Sequence, residues 1–173
     1  MQKSIMKNRK NKNIFFLILL LINTNIYSEK ADREKPIEIE SDTMTVDDSK
    51  SMSIYSGDVI LTQGTLEIRA EELIVRHDKQ GFNHSTSTGN PTTFKQKMEG
   101  SNDYIQGKAL RIEYDGHMDK IHLYKQATVK RGENLVVGDY ITYDANAEIA
   151  QALSSSNHDG KKGRTKAIIK PKN

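Results

Sequence analysis

The chain has 173 residues, with 26 Lys+Arg against 23 Asp+Glu for a net charge of +3, and no cysteine. The missing cysteine excludes disulfides, thiolate metal sites and cysteine nucleophiles. Five of the 26 basic residues and none of the 23 acidic ones lie in the first 28 positions, so the rest carries 21 against 23, a net of −2. The basic balance is therefore not a nucleic-acid-binding surface.

Lys3, Lys7, Arg9, Lys10 and Lys12 precede the apolar run Ile14 to Ile22, and Asn23 to Ser28 follow it. This order of basic, apolar and small residues predicts a secretory signal peptide over 1–28, cut after Ser28. The run spans about 14 Å as a helix against roughly 30 Å of hydrocarbon, which disfavours a permanent anchor. Residues 29–35 are charged and read as a flexible lead-in, 36–170 as one domain, and 171–173 as a tail.

From Pro36 the apolar period is two. Ile37 and Ile39 alternate with Glu38 and Glu40, and Met44 and Val46 with threonines. Met52, Ile54 and Ser56 lead to Gly57-Asp58, read as a turn; Val59 and Leu61 continue to a second turn at Gln63-Gly64-Thr65. Leu66, Ile68 and Ala70, then Leu73 and Val75, alternate with charged residues. His77 to Asn90 is polar and reads as a loop or a polar edge strand, with Gly89-Asn90-Pro91 as a turn. Strands are predicted again around Phe94, over Tyr104 to Tyr114, Lys120 to Tyr124, Ala127 to Arg131, Asn134 to Val137, Asp139 to Asp144, Glu148 to Leu153 and Thr165 to Ile169. No window after Ser28 keeps a helical period for three turns.

Many short strands at turn spacing predict an all-β sandwich, jelly roll or solenoid. An internal repeat favours stacked strand layers. Ala70 to Val75 resembles Gly107 to Ile112 and Gly138 to Tyr143, and Val59, Leu61 and Gly64 match Ala127, Val129 and Gly132 at one offset. Leu135 and Val137 fall one place off Leu66 and Ile68, which suggests a β-bulge in one copy.

No catalytic constellation emerges. His77, His84, His117, His122 and His158 lack metal-site spacing. Asp47-Asp48 and Glu71-Glu72 are adjacent acids whose side chains point apart on a strand, unlike a glycosidase pair. Ser154 to Ser156 has no nucleophile-elbow context. No enzyme, metal or cofactor is expected. Alternation instead points to an apolar interior that includes Ile54, Val59, Leu61, Leu66, Ile68, Leu73, Val75, Leu110 and Ile112. An interior left partly open could hold acyl chains, and unpaired end strands could add another protein; periodicity alone does not separate this from a closed core.

Four blocks carry a family resemblance: Pro36-Ile37-Glu38-Ile39-Glu40-Ser41-Asp42, Tyr55 to Ile68, Gly89-Asn90-Pro91-Thr92-Thr93-Phe94, and Gly138-Asp139-Tyr140-Ile141-Thr142-Tyr143. In this order they resemble the LptA family of periplasmic lipopolysaccharide-transport bridge proteins, over roughly residues 36–170. The resemblance implies a twisted antiparallel β-jellyroll open at both ends, with lipid A acyl chains in an apolar groove. It implies contacts to lipid at Ile37, Ile39, Phe94 and Tyr114, and docking edges at the strands holding Ile37, Ile39, Ile168 and Ile169. The implied partners are lipopolysaccharide, further copies end to end, an LptC-like inner-membrane protein and an LptD-like outer-membrane protein. Two other readings are an LptC-like protein that keeps its anchor, and a periplasmic adaptor that binds only proteins.

Overall fold

A computed structural model describes residues 32, 34–79, 81–98, 100–144, 147, 149–154 and 163–171. The expected signal peptide lies outside the described residues. Among the described residues ten strands follow in chain order: β1 (Glu38–Glu40), β2 (Thr43–Asp47), β3 (Met52–Gln63), β4 (Leu66–Asp78), β5 (Gly81–Lys97), β6 (Tyr104–Asp115), β7 (Lys120–Arg131), β8 (Asn134–Asp144), β9 (Ile149–Leu153) and β10 (Lys166–Ile168). A 3-10 turn, Asp48–Lys50, separates β2 from β3, with Asp47 capping its first turn. The strands form one unclosed antiparallel sheet in the order β1-β3-β4-β5-β6-β7-β8-β10, with β2 also on β3 and β9 also on β8.

The six long strands share one feature that shapes the molecule. Every ladder between them loses register near its middle: at Ser56/Val59, Arg69/Glu72, Thr88/Thr92, Lys108/Arg111 and Tyr124/Ala127. Bulges bend strands and raise local twist, so a line of them bends the whole sheet. It splits the sheet into two half-sheets of eight strands each. Half-sheet I holds β1, Val59–Gln63, Leu66–Ala70, Thr92–Lys97, Tyr104–Ala109, Ala127–Arg131, Asn134–Gly138 and β10. Half-sheet II holds β2, the other half of each long strand, and β9. Their apolar faces merge in one core that runs from Val59 and Leu61 to Ile141 and Tyr143.

The bends also account for departures from the sequence reading. Gly57-Asp58 is a bulge inside β3 with φ of 83° and 41°, not a turn. Gly89-Asn90-Pro91 is the bend inside β5, with a cis Asn90-Pro91 bond, and not a chain reversal. The polar stretch before it is neither loop nor edge: β5 is paired on both sides, by β4 and β6. Its inner positions are hydroxyl residues whose hydrogen bonds make burial tolerable. Thr92 Oγ1 donates to Arg69 O at 3.0 Å and lies 2.9 Å from Ser87 Oγ, while Ser87 Oγ also reaches Ile112 O at 3.4 Å.

The repeat is real, with a different phase. Val59 and Leu61 on β3, with Gly64 just after it, do correspond to Ala127 and Val129 on β7, with Gly132 just after it. The correspondence continues without a slip through Ile68 and Val136, Leu73 and Ile141, and Val75 and Tyr143. Leu135 and Val137 face outward, so no extra bulge is needed there. In the middle unit Ala109, not Gly107, occupies the place of Ala70 and Gly138, because inner residues resume three positions later at Ile112, as they do at Leu73 and Ile141.

Candidate functional site

Strand register sorts the inner face into rows. Across half-sheet I stand Ile39, Leu61, Ile68, Phe94, Gly107, Val129, Val136 and Ala167. Across half-sheet II stand Met44, Tyr55, Leu73, Ser87, Ile112, Leu123, Ile141 and Ala152. Each row is a continuous apolar track from one end strand to the other, interrupted only by small or hydroxyl residues. Adjacent strands lie about 4.8 Å apart, so an eight-strand track is roughly 34 Å long.

Of the residues expected inside, Val59, Leu61, Ile68, Leu73, Val75, Phe94 and Ile112 belong to the buried core, and Ile37, Ile39, Leu66 and Tyr114 pack against it. Two do not join it. Ile54 pairs with Ile74 on the outer face, because Ser53 and Tyr55 are the inward residues before the β3 bulge. Leu110 falls in the β6 bend between inner Ala109 and Ile112, and lines an outer depression with Tyr124, Tyr140 and Leu153. Odd spacing across a bend puts the next side chain on the opposite face from simple alternation.

The two half-sheets meet at the mouth of the interior, where a cavity of about 40 Å³ remains. Leu66, Ile68 and Phe94 line it from half-sheet I, and Ile112, Tyr114 and Ile121 from half-sheet II. Gln63, Gln96, Asp32 and Asp119 form its polar rim. Tyr114 Oη donates to Asp119 Oδ1 at 3.0 Å. The sequence reading missed Ile121, Asp32 and Asp119. Alternation over Lys120 to Tyr124 does mark Ile121, whereas the carboxylates carry no local signal.

Outside, a ladder runs Arg111, Tyr124, Tyr140, Leu153 across β6 to β9. Arg111 sits 4.2 Å over the Tyr124 ring, whose centroid is 4.9 Å from that of Tyr140. Tyr124 Oη donates to Glu113 Oε2 at 3.1 Å. Burial first, and the Glu113 charge second, push the Tyr124 phenol up to about 12. Arg111 covers one side of Tyr124 and Tyr140 stacks beside it, so this ladder reads as sheet reinforcement. Among the described residues no group of three or more His, Asp or Glu side chains is arranged to hold a metal ion.

At the ends, β1 and β10 close half-sheet I, and β2 and β9 close half-sheet II, each paired on one side only among the described residues. Large apolar side chains stand exposed on these strands: Met44 at 61%, Val46 at 52%, Leu153 at 59% and, just beyond β10, Ile169 at 77%.

Comparison with known proteins places this architecture. The family described as LptA/(LptD N-terminal domain) LPS transport protein matches residues 38–149. The chain belongs to that family. The lipopolysaccharide export system protein LptH of Pseudomonas aeruginosa is 30% identical over 162 residues, covering 92% of this chain and 93% of LptH. LptA of Escherichia coli is 30% identical over 155 residues, 86% of this chain and 83% of its own. The crystal structure of LptH, described as the LptA-homologous periplasmic component of a lipopolysaccharide transport device, matches with a TM-score of 0.74. That match has 30% identity and covers 81% of this chain and 99% of LptH. The expected all-β jellyroll of the LptA family is thus the fold observed, as an unclosed antiparallel sheet.

Proposed function

We propose that the chain is a non-catalytic periplasmic carrier that takes the acyl chains of lipopolysaccharide between its half-sheets and passes them along toward the outer membrane. The observation that carries this reading is the pair of inner rows, apolar but for a serine and a glycine, that run from end strand to end strand in a member of the LptA family. Each buried CH₂ contributes about 0.8 kcal/mol, so a continuous apolar track disfavours any pause of the lipid in water. A ligand pocket usually measures roughly 300–1,000 Å³; the mouth holds about 40 Å³, so this reading has the half-sheets part when an acyl chain enters.

The end strands supply the partners. Among the described residues each half-sheet has eight strands, all antiparallel to their neighbours. With an even count, a second copy in the same orientation brings its first strand antiparallel to the last strand of the copy before it. Continuing the rows sets Ile39 beside Ala167 of the neighbouring copy and Ile37 beside Ile169 on the inner face. On the outer face it sets Glu40 beside Lys166. In half-sheet II the exposed Met44 and Val46 meet the small Ala152 and Ala150. LptC-like and LptD-like relatives at the two membranes would dock on the same edges by strand addition.

Photo-crosslinking in cells tests the reading. Probes at Phe94, Ile112 and Ile37 are expected to capture lipopolysaccharide, and probes on β1 and β10 to capture protein as well. If every interior position yields only protein adducts, the chain is an adaptor that binds proteins and the carrier reading is wrong.

A further inference from the structure

The mouth of the interior is occupied by a side chain from outside the sheet. Asp32, six residues before β1, is 6% exposed and forms part of the cavity wall with Leu66, Tyr114 and Ile121. Its seat is the tip of the β3–β4 hairpin. Thr65 Oγ1 donates to Asp32 Oδ2 and at the same time accepts from the Lys97 N–H at 3.2 Å. Gly64 leaves the room: a Cβ there would overlap the Asp32 carboxylate. Two further bonds hold the backbone beside it. The Lys35 N–H donates to Asp32 O at 3.0 Å, and Gln63 Nε2 donates to Lys35 O at 3.1 Å.

A charged side chain is costly to bury without partners, and nothing in the ladder of β3 and β4 requires this one. What it does is bridge the rim of half-sheet I and narrow the gap facing Tyr114 and Ile121 of half-sheet II. We infer that Asp32 is a latch, which keeps the acyl-chain entrance shut until its contact with Thr65 and Gly64 is broken. The inference rests on the carrier reading and adds its regulation. Because Asp32 lies six residues before β1 in the chain, a partner strand that repositions β1 would also pull on the latch. Entry of lipid would then be favoured in the assembled bridge over the free protein.

Asp42 supplies a matched control. Its carboxylate sits in the same way over a glycine, Gly57, with Asp42 N–H donating to Gly57 O at 3.0 Å, yet it does not line the cavity. Association of fluorescently labelled lipopolysaccharide with the full mature protein, followed by stopped-flow, is the measurement. Asp32→Ala and Thr65→Val are each expected to raise the association rate several-fold, and Asp42→Ala to leave it unchanged. The chain has no cysteine, so Asp32→Cys with Thr65→Cys installs the only thiol pair. Oxidised, that variant is expected to bind lipid at least ten-fold more slowly than wild type, and reductant is expected to restore uptake. Equal rates for wild type, Asp32→Ala and the oxidised pair would overturn the latch while leaving the carrier reading intact. Absence of binding by wild type and by all variants would instead remove the carrier reading on which the latch depends.

Discussion

Phe94 lies directly opposite Gly107 across the β5–β6 ladder, and its ring fills the space that a side chain at Gly107 would need. A Cβ there would overlap the ring at Cε1 and come within 2.9 Å of Leu123 Cδ2. Phe94 is only 2% exposed and lines the mouth cavity. Gly107→Ala should therefore destabilise the fold by about 1–3 kcal/mol through overpacking, and Phe94→Ala by about 3–5 kcal/mol through an unfilled cavity. In urea unfolding, the double variant should cost clearly less than the sum, since the alanine methyl occupies part of the vacated space. Additive losses would mean that the two do not compete for one volume.

The outward placement of Ile54 and Leu110 can be checked by paired substitution. Leu73, fully buried, should lose about 2–5 kcal/mol on change to Ala. Leu110→Ala should cost roughly 1 kcal/mol or less, as expected of a partly exposed site. A photo-crosslinker at Leu110 or Ile54 should give no lipid adduct under conditions where Ile112 gives one.

End-to-end association should depend on Glu40 and Lys166. Lys166→Glu is expected to weaken self-association measured by sedimentation, by about 1.5- to 5-fold, the range of an exposed ion pair. Combining it with Glu40→Lys should restore the pairing across the joint, and both effects should fade as salt rises. A double variant no better than the single one would place the joint in another register.

Met44 and Val46 are more than half exposed, at 61% and 52%, so charging them should spare the fold. Met44→Glu with Val46→Glu is expected to keep the wild-type melting temperature and to abolish chains longer than one copy, read by light scattering. Unchanged association would confine the joint to β1 and β10.

Tyr124 should ionise well above the ordinary tyrosine range. Its phenol is held up to about 12 against an ordinary 10, so the folded state keeps a proton that the unfolded state gives up. The stability this represents is fully present below pH 10 and is lost as pH rises through about 12. Ultraviolet absorbance titration should show a late tyrosine component that Tyr124→Phe removes; Glu113→Gln should shift it downward.

The resemblance to the LptA family was legible in the blocks around Ile37, Tyr55 to Ile68, Gly89 to Phe94 and Gly138 to Tyr143. Most inner residues were also legible, since Val59 and Leu61, or Leu73 and Val75, need only two-residue alternation within one straight half-strand. Ile54 and Leu110 were not. Their side depends on where a bulge falls, and a bulge is set jointly by two strands that are distant in sequence. The hydroxyls of β5 misled for a related reason. Ser87 and Thr92 look like surface residues until Arg69 and Ile112, contributed by other strands, supply their partners.

Alternation along the chain therefore determined by itself that this protein is all-β with an apolar interior, because side-chain direction in a strand is a local property of the backbone. Only the tertiary structure decided how that interior is shut. The line of mid-strand bends that turns half-sheet I toward half-sheet II arises from pairing between strands. The seat that Gly64 and Thr65 make for Asp32 joins residues about thirty positions apart, which no local pattern encodes.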